Sequence, residues 1–320
     1  MKFKTLYTFL KNDLDLIEQE LEKTVMSDYS MLSDAGLHLL QAGGKRIRPV
    51  FVLLSAMFGT YDIQRIKHVA VSLEMIHMAS LVHDDVIDDA DLRRGKPTIK
   101  AKWDNRIAMY TGDYLLACSL EAMTKIENPL AHRLLSKTIV DVCLGEIEQI
   151  KDKYHVDQSL RTYLKRIKRK TAILIAASCQ LGAIAAGAPE QIHRKLYWYG
   201  YFVGMSFQIT DDILDFTATE EELGKPVGSD LLQGNITLPV LFALEDPMFR
   251  IELEKISSDT TFEEINPLIE RILQSDVIEK SIKVSDQYLQ KAFSILEELP
   301  SGRSRSTLYS VTKYIGKRKF

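Results

Sequence analysis

An all-α fold is predicted for this 320-residue chain by three observations. Apolar residues recur at helical spacing from end to end, no stretch alternates with the period of a strand, and glycine and proline punctuate rather than dominate. The punctuation falls at Gly43-Gly44-Lys45, Gly95-Lys96-Pro97, Gly187-Ala188-Pro189 and Gly224-Lys225-Pro226, each at a predicted helix boundary. No Ser- or Pro-rich linker and no solenoid-length repeat interrupts the pattern, so residues 1–320 are expected to form a single domain. The apolar fraction of 46% and charged fraction of 27% are those of an ordinary globular protein. A net charge of −3 gives no global attraction to nucleic acid, so charge must act through local clusters. Cys118, Cys143 and Cys179 lie far apart and lack zinc or redox spacing, which predicts reduced thiols in a cytoplasmic protein.

The elements follow in order. The N-terminal stretch MKFKTLYTFLKNDLDLIEQELEKTV has no apolar signal core. Its Leu10, Leu14, Ile17, Leu21 and Val25 mark one face of an amphipathic helix. In QAGGKRIRPVFVLL a Gly-Gly break precedes a helix start, with Lys45 and Arg48 on one side. Free N–H groups and a partial positive charge at such a start favour phosphate. This is not a Walker A loop, since Leu39 stands where that pattern needs Gly and Arg46 where it needs Ser or Thr.

The next helix carries an apolar stripe, Ile66, Val69, Ala70, Leu73 and Ile76, which continues as His77, Ser80, Asp84 and Asp88. A face that begins as core therefore ends as an acidic lining. The segment 171–188, TAILIAASCQLGAIAAGA, is the best membrane-span candidate, but it is short, alanine-rich and interrupted by Ser178 and Gln180. A helix buried in a bundle is predicted instead. In the following helix Gly200, Gly204 and Gln208 lead to Asp211, Asp212 and Asp215, and the glycines permit close approach of a neighbour. The basic tail IGKRKF reads as solvated, with contact to a membrane surface as the alternative.

The pattern Asp-Asp-x-x-Asp thus occurs twice, as DDVID and DDILD, each time on the continuation of a core stripe. Asp84 and Asp88, one helical turn apart, have Cβ atoms about 5–6 Å from each other. Carboxylates so close raise each other's pKa unless a cation sits between them. Mg2+ takes one or two carboxylates and completes its shell with water and phosphate oxygens. Two such clusters suit a diphosphate. Neither has the Gly and Glu of an EF-hand loop. Further cations, Arg93, Arg94, Lys170 and Lys225, are placed to answer phosphate charge.

Together these segments resemble the trans-isoprenyl diphosphate synthases. The signatures read GGKRIRP (43–49), DDVIDDADLRRGKPT (84–98), GDYLL (112–116), KTA (170–172), FQITDDILD (207–215) and GKPVGSD (224–230). The likeness spans nearly the whole chain. It implies a bundle of mostly antiparallel helices around a central cavity. By this resemblance Lys45, Arg48, His77 and Arg94 bind the diphosphate of isopentenyl diphosphate. Asp84, Asp88 and Asp211 hold Mg2+ on the allylic diphosphate, with Asp85, Asp212 and Asp215 in support and Asp215 a further metal-ligand candidate. Arg93, Lys170, Thr171, Gln208 and Lys225 contact the allylic substrate. Among these, Lys170, Thr171 and Gln208 act in catalysis, the polar oxygens of Thr171 and Gln208 steadying a carbocation. Many relatives carry Lys where this chain has Asn235, so that loop lysine is not carried over.

The resemblance further implies a heteromer with a small regulatory subunit, or a homodimer without it, and transient contact with the membrane surface for product release. In the family, bulky residues four and five positions before the first motif block the product channel. Here Ser80 and Ala79 are small, which predicts an open channel and a long product, with hexaprenyl, heptaprenyl and octaprenyl lengths all in range. Three rivals share part of the pattern: an HD-type metal phosphohydrolase using His83-Asp84 with His68 or His77, a terpene cyclase, and a non-catalytic regulatory subunit. The first has no use for the second Asp motif, the second none for Lys45, Arg48 and Arg94, and the third none for an intact set of both.

Overall fold

The computed structural model describes residues 3–219 and 226–317. Helices dominate, as the periodicity predicts. In chain order, a 3-10 turn at Phe3–Leu10 is followed by α1 (Lys11–Thr24), α2 (Ser30–Gln41), α3 (Ile47–Ala56), α4 (Ile63–Ile87), α5 (Ile99–Lys102), α6 (Asn105–Met123), α7 (Pro129–Asp152) and α8 (Leu160–Ile167). A π-helical turn, Lys168–Ala172, leads into α9 (Ile173–Ala185) and then α10 (Glu190–Thr217). Helices at Ser229–Leu232, Leu238–Ala243, Pro247–Leu253, Phe262–Gln274, Val277–Glu297 and Arg303–Gly316 complete the described chain. Among the described residues the β structure is one two-residue ladder, with Leu92 opposite Pro97 and Arg93 opposite Lys96. Its connecting pair, Arg94 and Gly95, both have positive φ, at 53° and 73°, as the tight hairpin turn requires.

Local chemistry starts these helices where they start. Asp62 accepts from the Gln64 N–H ahead of α4, Asp104 from Ile107 ahead of α6 and Ser159 from Thr162 ahead of α8, each removing one orphan donor. Thr261 and Glu264 cap each other at Phe262–Gln274.

The chain forms two compact units. The first comprises residues 1–139, 174–200 and 299–308. Its centre is α3, buried from Pro49 to Ala56. Gly182 on α9 meets α3 closely enough that a Cβ there would stand 2.4 Å from the Val52 carbonyl oxygen. Phe51 packs edge-on against Tyr199, and the Tyr199 hydroxyl donates to the Leu308 carbonyl. The membrane-span candidate is thus a core helix, and no helix among the described residues is long and apolar enough to cross a membrane.

Residues 140–173, 201–298 and 309–320 make the second unit. One apolar cluster joins Tyr163, Ile167, Ala172, Met205, Ile209, Ile213 and Leu238. Another gathers Phe216, Leu231, Ile236 and Val240 with Ile265, Leu268, Ile269 and Ile272. The first of these holds α8, the π-turn and the C-terminal half of α10 together. Those three elements carry most of the candidate residues of this unit.

Candidate active site

Both acidic motifs lie at the C-terminal ends of long helices. Asp84 and Asp85 are in the last turn of α4, and Asp88 is its C-cap. Asp211, Asp212 and Asp215 occupy the last two turns of α10. A helix C-terminus carries partial negative charge and favours cations, so each motif sits where its carboxylates are least welcome. The two motifs also share a division of labour. Asp84, Asp88 and Asp211 are partly exposed, whereas Asp85, Asp212 and Asp215 are buried.

In the first unit, Asp85 Oδ1 accepts a hydrogen bond from Arg93 Nε at 2.8 Å and forms an ion pair with its Nη2 at 2.7 Å. The hairpin that carries Arg93 is thereby tied back to the motif. Burial raises the Asp85 carboxyl, Arg93 pulls it down, and Asp84 and Asp88 push it up again.

The sequence GGKRIRP forms a turn ahead of α3. Gly43 has φ 79° and Arg46 has φ 47°, and no side chain caps the start of α3. Arg46 fixes this turn by donating from Nε and Nη2 to Glu18 on α1, at 2.9 and 2.6 Å, and from Nη1 to buried Glu74 on α4, at 3.2 Å. The guanidinium of Arg94 lies against Gly44, where a Cβ would come within 3.0 Å of it. Arg48 is the most telling member. Burial pushes its guanidinium down to about 10, Glu74 opposes that shift and Arg94 adds to it. Its Nε is buried without a hydrogen-bond partner. His77 is pushed well below 6.5, first by burial and then by Arg48, Arg94, Arg93 and Arg46. Three guanidinium groups, those of Arg46, Arg48 and Arg94, thus share the field of one buried acid, Glu74. Lys45 is exposed on the same turn. The cluster has cationic capacity to spare for an anion.

In the second unit, Lys170 and Thr171 stand on the π-turn, a feature often found at functional sites. Two glycines grip that turn. A Cβ on Gly145 of α7 would lie 2.7 Å from the Arg169 Cβ, and one on Gly204 of α10 would lie 2.5 Å from the Ala172 Cα. Lys170 Nζ donates to Gln149 at 2.7 Å. Thr171 donates to Gln208 Oε1 at 2.5 Å, Gln208 Nε2 donates to Asp212 Oδ1 at 2.8 Å, and the Tyr163 hydroxyl donates to Asp212 Oδ2 at 2.7 Å. Burial pushes Asp212 up to about 7, and Asp230 and Asp211 add to the shift. Asp215 accepts from Ser229 Oγ at 3.0 Å and from the Asp230 N–H at 3.1 Å, which anchors the start of the helix Ser229–Leu232. Lys225 lies outside the described residues.

Among the described residues no three His, Cys, Asp or Glu side chains close on a point as a self-sufficient cation site. The partly exposed Asp84, Asp88 and Asp211 offer the carboxylate oxygens that a hard divalent ion takes, one or two at a time, beside phosphate and water. His83 does not serve the acidic motif as an HD-type ligand would. Its Nε2 lies 3.3 Å from Asp113, and its ring fills the space left by Gly112.

Sequence reasoning missed Arg46, Glu18, Glu74 and Tyr163. A signal for Glu74 was there: it is the lone acid in VAVSLEMIHMA.

An all-α scaffold whose two acidic motifs end long helices, with a buried and unpartnered arginine Nε in one unit, defines a protein built for anionic ligands and the cations they carry. Residues 29–272 match the polyprenyl synthetase family. The chain is 73% identical over 320 residues to heptaprenyl diphosphate synthase component 2 of Bacillus subtilis (strain 168), covering all of this chain and 92% of that one. It is 65% identical to the protein of the same name from Geobacillus stearothermophilus, over the full length of both. The crystal structure of heptaprenyl diphosphate synthase from Staphylococcus aureus superposes with a TM-score of 0.93 at 48% identity, covering 97% of this chain and 98% of that one. A polyprenyl synthase from Caulobacter crescentus, complexed with calcium and isoprenyl diphosphate, gives 0.94 at 29% identity, with 99% and 98% covered. The chain belongs to the polyprenyl synthetase family, and it is a prenyltransferase.

Proposed function

We propose that this enzyme condenses isopentenyl diphosphate head-to-tail with an allylic diphosphate of the farnesyl class, giving an all-trans polyprenyl diphosphate of heptaprenyl length for the menaquinone side chain. The product length is supported by the names of the relatives at 73% and 65% identity. The buried, unpartnered Arg48 Nε carries the assignment of the isopentenyl diphosphate site. With Lys45, Arg94 and neutral His77 it makes a cluster of donors suited to a diphosphate.

Asp84, Asp88 and Asp211 would hold Mg2+, with Asp85 and Asp212 in support and Asp215 a further ligand candidate. Bound Mg2+ neutralises charge on the departing diphosphate. Calcium and isoprenyl diphosphate in the Caulobacter relative support a divalent ion in this role. Arg93 and Lys170, with Lys225, contact the allylic diphosphate. The allylic C–O bond breaks and its electron pair leaves with diphosphate. The isopentenyl double bond then attacks the cation, and a proton is lost from the adduct. Thr171 and Gln208 present polar oxygens to the cation while the apolar cluster around Ile209 and Ile213 keeps water out.

Relatives named component 2 support a small partner subunit. On α7, Val140, Leu144, Ile147 and Ile150 lie exposed in the second unit, apolar surface of the kind a partner covers. The setting is cytoplasmic, with product delivered at the membrane surface.

The test is incubation with farnesyl diphosphate, radiolabelled isopentenyl diphosphate and Mg2+, with and without the small subunit, products being sized by mass spectrometry. Heptaprenyl diphosphate formed by the pair is the expected result. Incorporation limited to other lengths would refute the chain-length assignment. No incorporation by the pair, or phosphate release without elongation, would refute the reaction.

A further inference from the structure

Tyr163 is fully buried in α8, yet its hydroxyl is not idle: it donates to Asp212 Oδ2 at 2.7 Å. The other oxygen of Asp212 accepts from Gln208 Nε2 at 2.8 Å, and Gln208 Oε1 accepts from Thr171 Oγ1 at 2.5 Å. Three hydrogen bonds therefore run unbroken from a core tyrosine to the π-turn. Their polarity is fixed by chemistry. With a donor on each of its oxygens, the Tyr163 hydroxyl on Oδ2 and the Gln208 amide nitrogen on Oδ1, Asp212 leaves the amide oxygen of Gln208 to face Thr171. The Thr171 proton is then committed to Gln208, and the lone pairs of Oγ1 are left for whatever lies beyond. A threonine presented in this way can only accept or polarise.

We infer that Tyr163 is a positioning residue for the prenyl transfer, which acts through Asp212 and Gln208 to hold the Thr171 hydroxyl with its lone pairs outward. The inference rests on the reading that Thr171 and Gln208 face the allylic cation. Without the Tyr163 hydroxyl, Asp212 Oδ2 loses a buried donor and the carboxylate turns or recruits another partner. The Gln208 amide then loses its fixed sense, and so does Thr171. Gly145 and Gly204 hold the backbone of the turn in place, so the loss falls on side-chain orientation rather than on the fold.

Tyr163→Phe removes one oxygen and keeps the ring. Assayed as the complete two-subunit enzyme, it is expected to lower kcat about ten- to a hundredfold, the usual effect of losing an outer-shell orienting group. The KM for isopentenyl diphosphate and the melting temperature should stay close to wild type. The deciding readout is a double-mutant cycle. The Tyr163→Phe effect should vanish in a Thr171→Val background, where no hydroxyl remains to orient, and should persist in Thr171→Ser. Equal Tyr163→Phe effects in the Thr171→Val and wild-type backgrounds, or a kcat loss that tracks a lowered melting temperature, would make Tyr163 a packing residue and overturn the inference. So would full turnover by Tyr163→Phe. Full turnover by Thr171→Val would instead remove the underlying reading of Thr171, and the inference with it.

Discussion

Arg46 grips Glu18 with two hydrogen bonds, at 2.9 and 2.6 Å, from a backbone held at φ 47°. A non-glycine residue in that conformation is strained, and here the strain is offset by salt bridges to Glu18 and to Glu74. The arrangement keeps Lys45 and Arg48, its neighbours in sequence, at fixed positions on the turn. Arg46→Lys preserves charge but loses the planar fork. It should raise the KM for isopentenyl diphosphate about tenfold, the equivalent of one misplaced charged hydrogen bond, with kcat little changed. Arg46→Ala leaves Glu74 buried without this partner and should cost about 3 kcal/mol in urea unfolding.

Product length should answer to Ser80 more cleanly than to Ala79. Ala79 is buried at 3% exposure, whereas Ser80 is partly exposed and folds its hydroxyl back onto the His77 carbonyl at 2.8 Å. Phenylalanine at position 79 has to displace core and should destabilise the enzyme by about 1–3 kcal/mol. Ser80→Phe should shorten the product at nearly normal stability. Mass spectrometry of the products checks this, and an unshortened chain from Ser80→Phe would exclude a channel along this face.

Gly204→Ala tests the grip on the π-turn. The new methyl would have to stand 2.5 Å from the Ala172 Cα, a backbone atom that cannot rotate away. A loss of about 1–3 kcal/mol is expected from overpacking, together with a fall in kcat larger than the same change produces at Gly43. A Cβ at Gly43 meets nothing within 4 Å, although its φ of 79° adds backbone strain there. Thermal unfolding and steady-state rates on both variants separate the two effects.

Acid should weaken the protein in part through His77. Its folded imidazole is held well below 6.5 by burial and by four arginines. As pH falls below about 6.5 the unfolded chain takes up a proton that the folded chain refuses. The unfolded state then binds more protons, so stability falls with pH across the window from 6.5 down to the lower folded value. His77→Gln removes this dependence, whose slope is at most about 1.4 kcal/mol per pH unit. Urea midpoints measured across the window should decline less steeply in the variant.

The acidic motifs were legible in the sequence because a period of 3.6 assigns Asp84 and Asp88, or Gln208 and Asp211, to one face before any fold is known. Lys45 and Arg48 were legible for the same reason, beside an evident glycine break. Tyr163 was not, since a tyrosine on the apolar face of RTYLKRI reads as core and only the distant Asp212 gives its hydroxyl a purpose. The π-turn was hidden inside RIKRKTAIL, whose helical pattern runs on without interruption. Arg46 was obscured by its neighbours, because two glycines invite the left-handed conformation that the arginine also adopts. Asp215 was grouped with the metal-ligand candidates by its motif, and the structure adds hydrogen bonds from Ser229 and the Asp230 N–H that spacing alone could not show.

Ser80 and Ala79 belong to one compact unit, and the glycine-gripped turn that bears Thr171 belongs to the other. A bulkier side chain at either of these two positions therefore leaves untouched the hydrogen bonds that set the Thr171 hydroxyl, whereas Asp84, one helical turn beyond Ser80 on α4, stays its near neighbour.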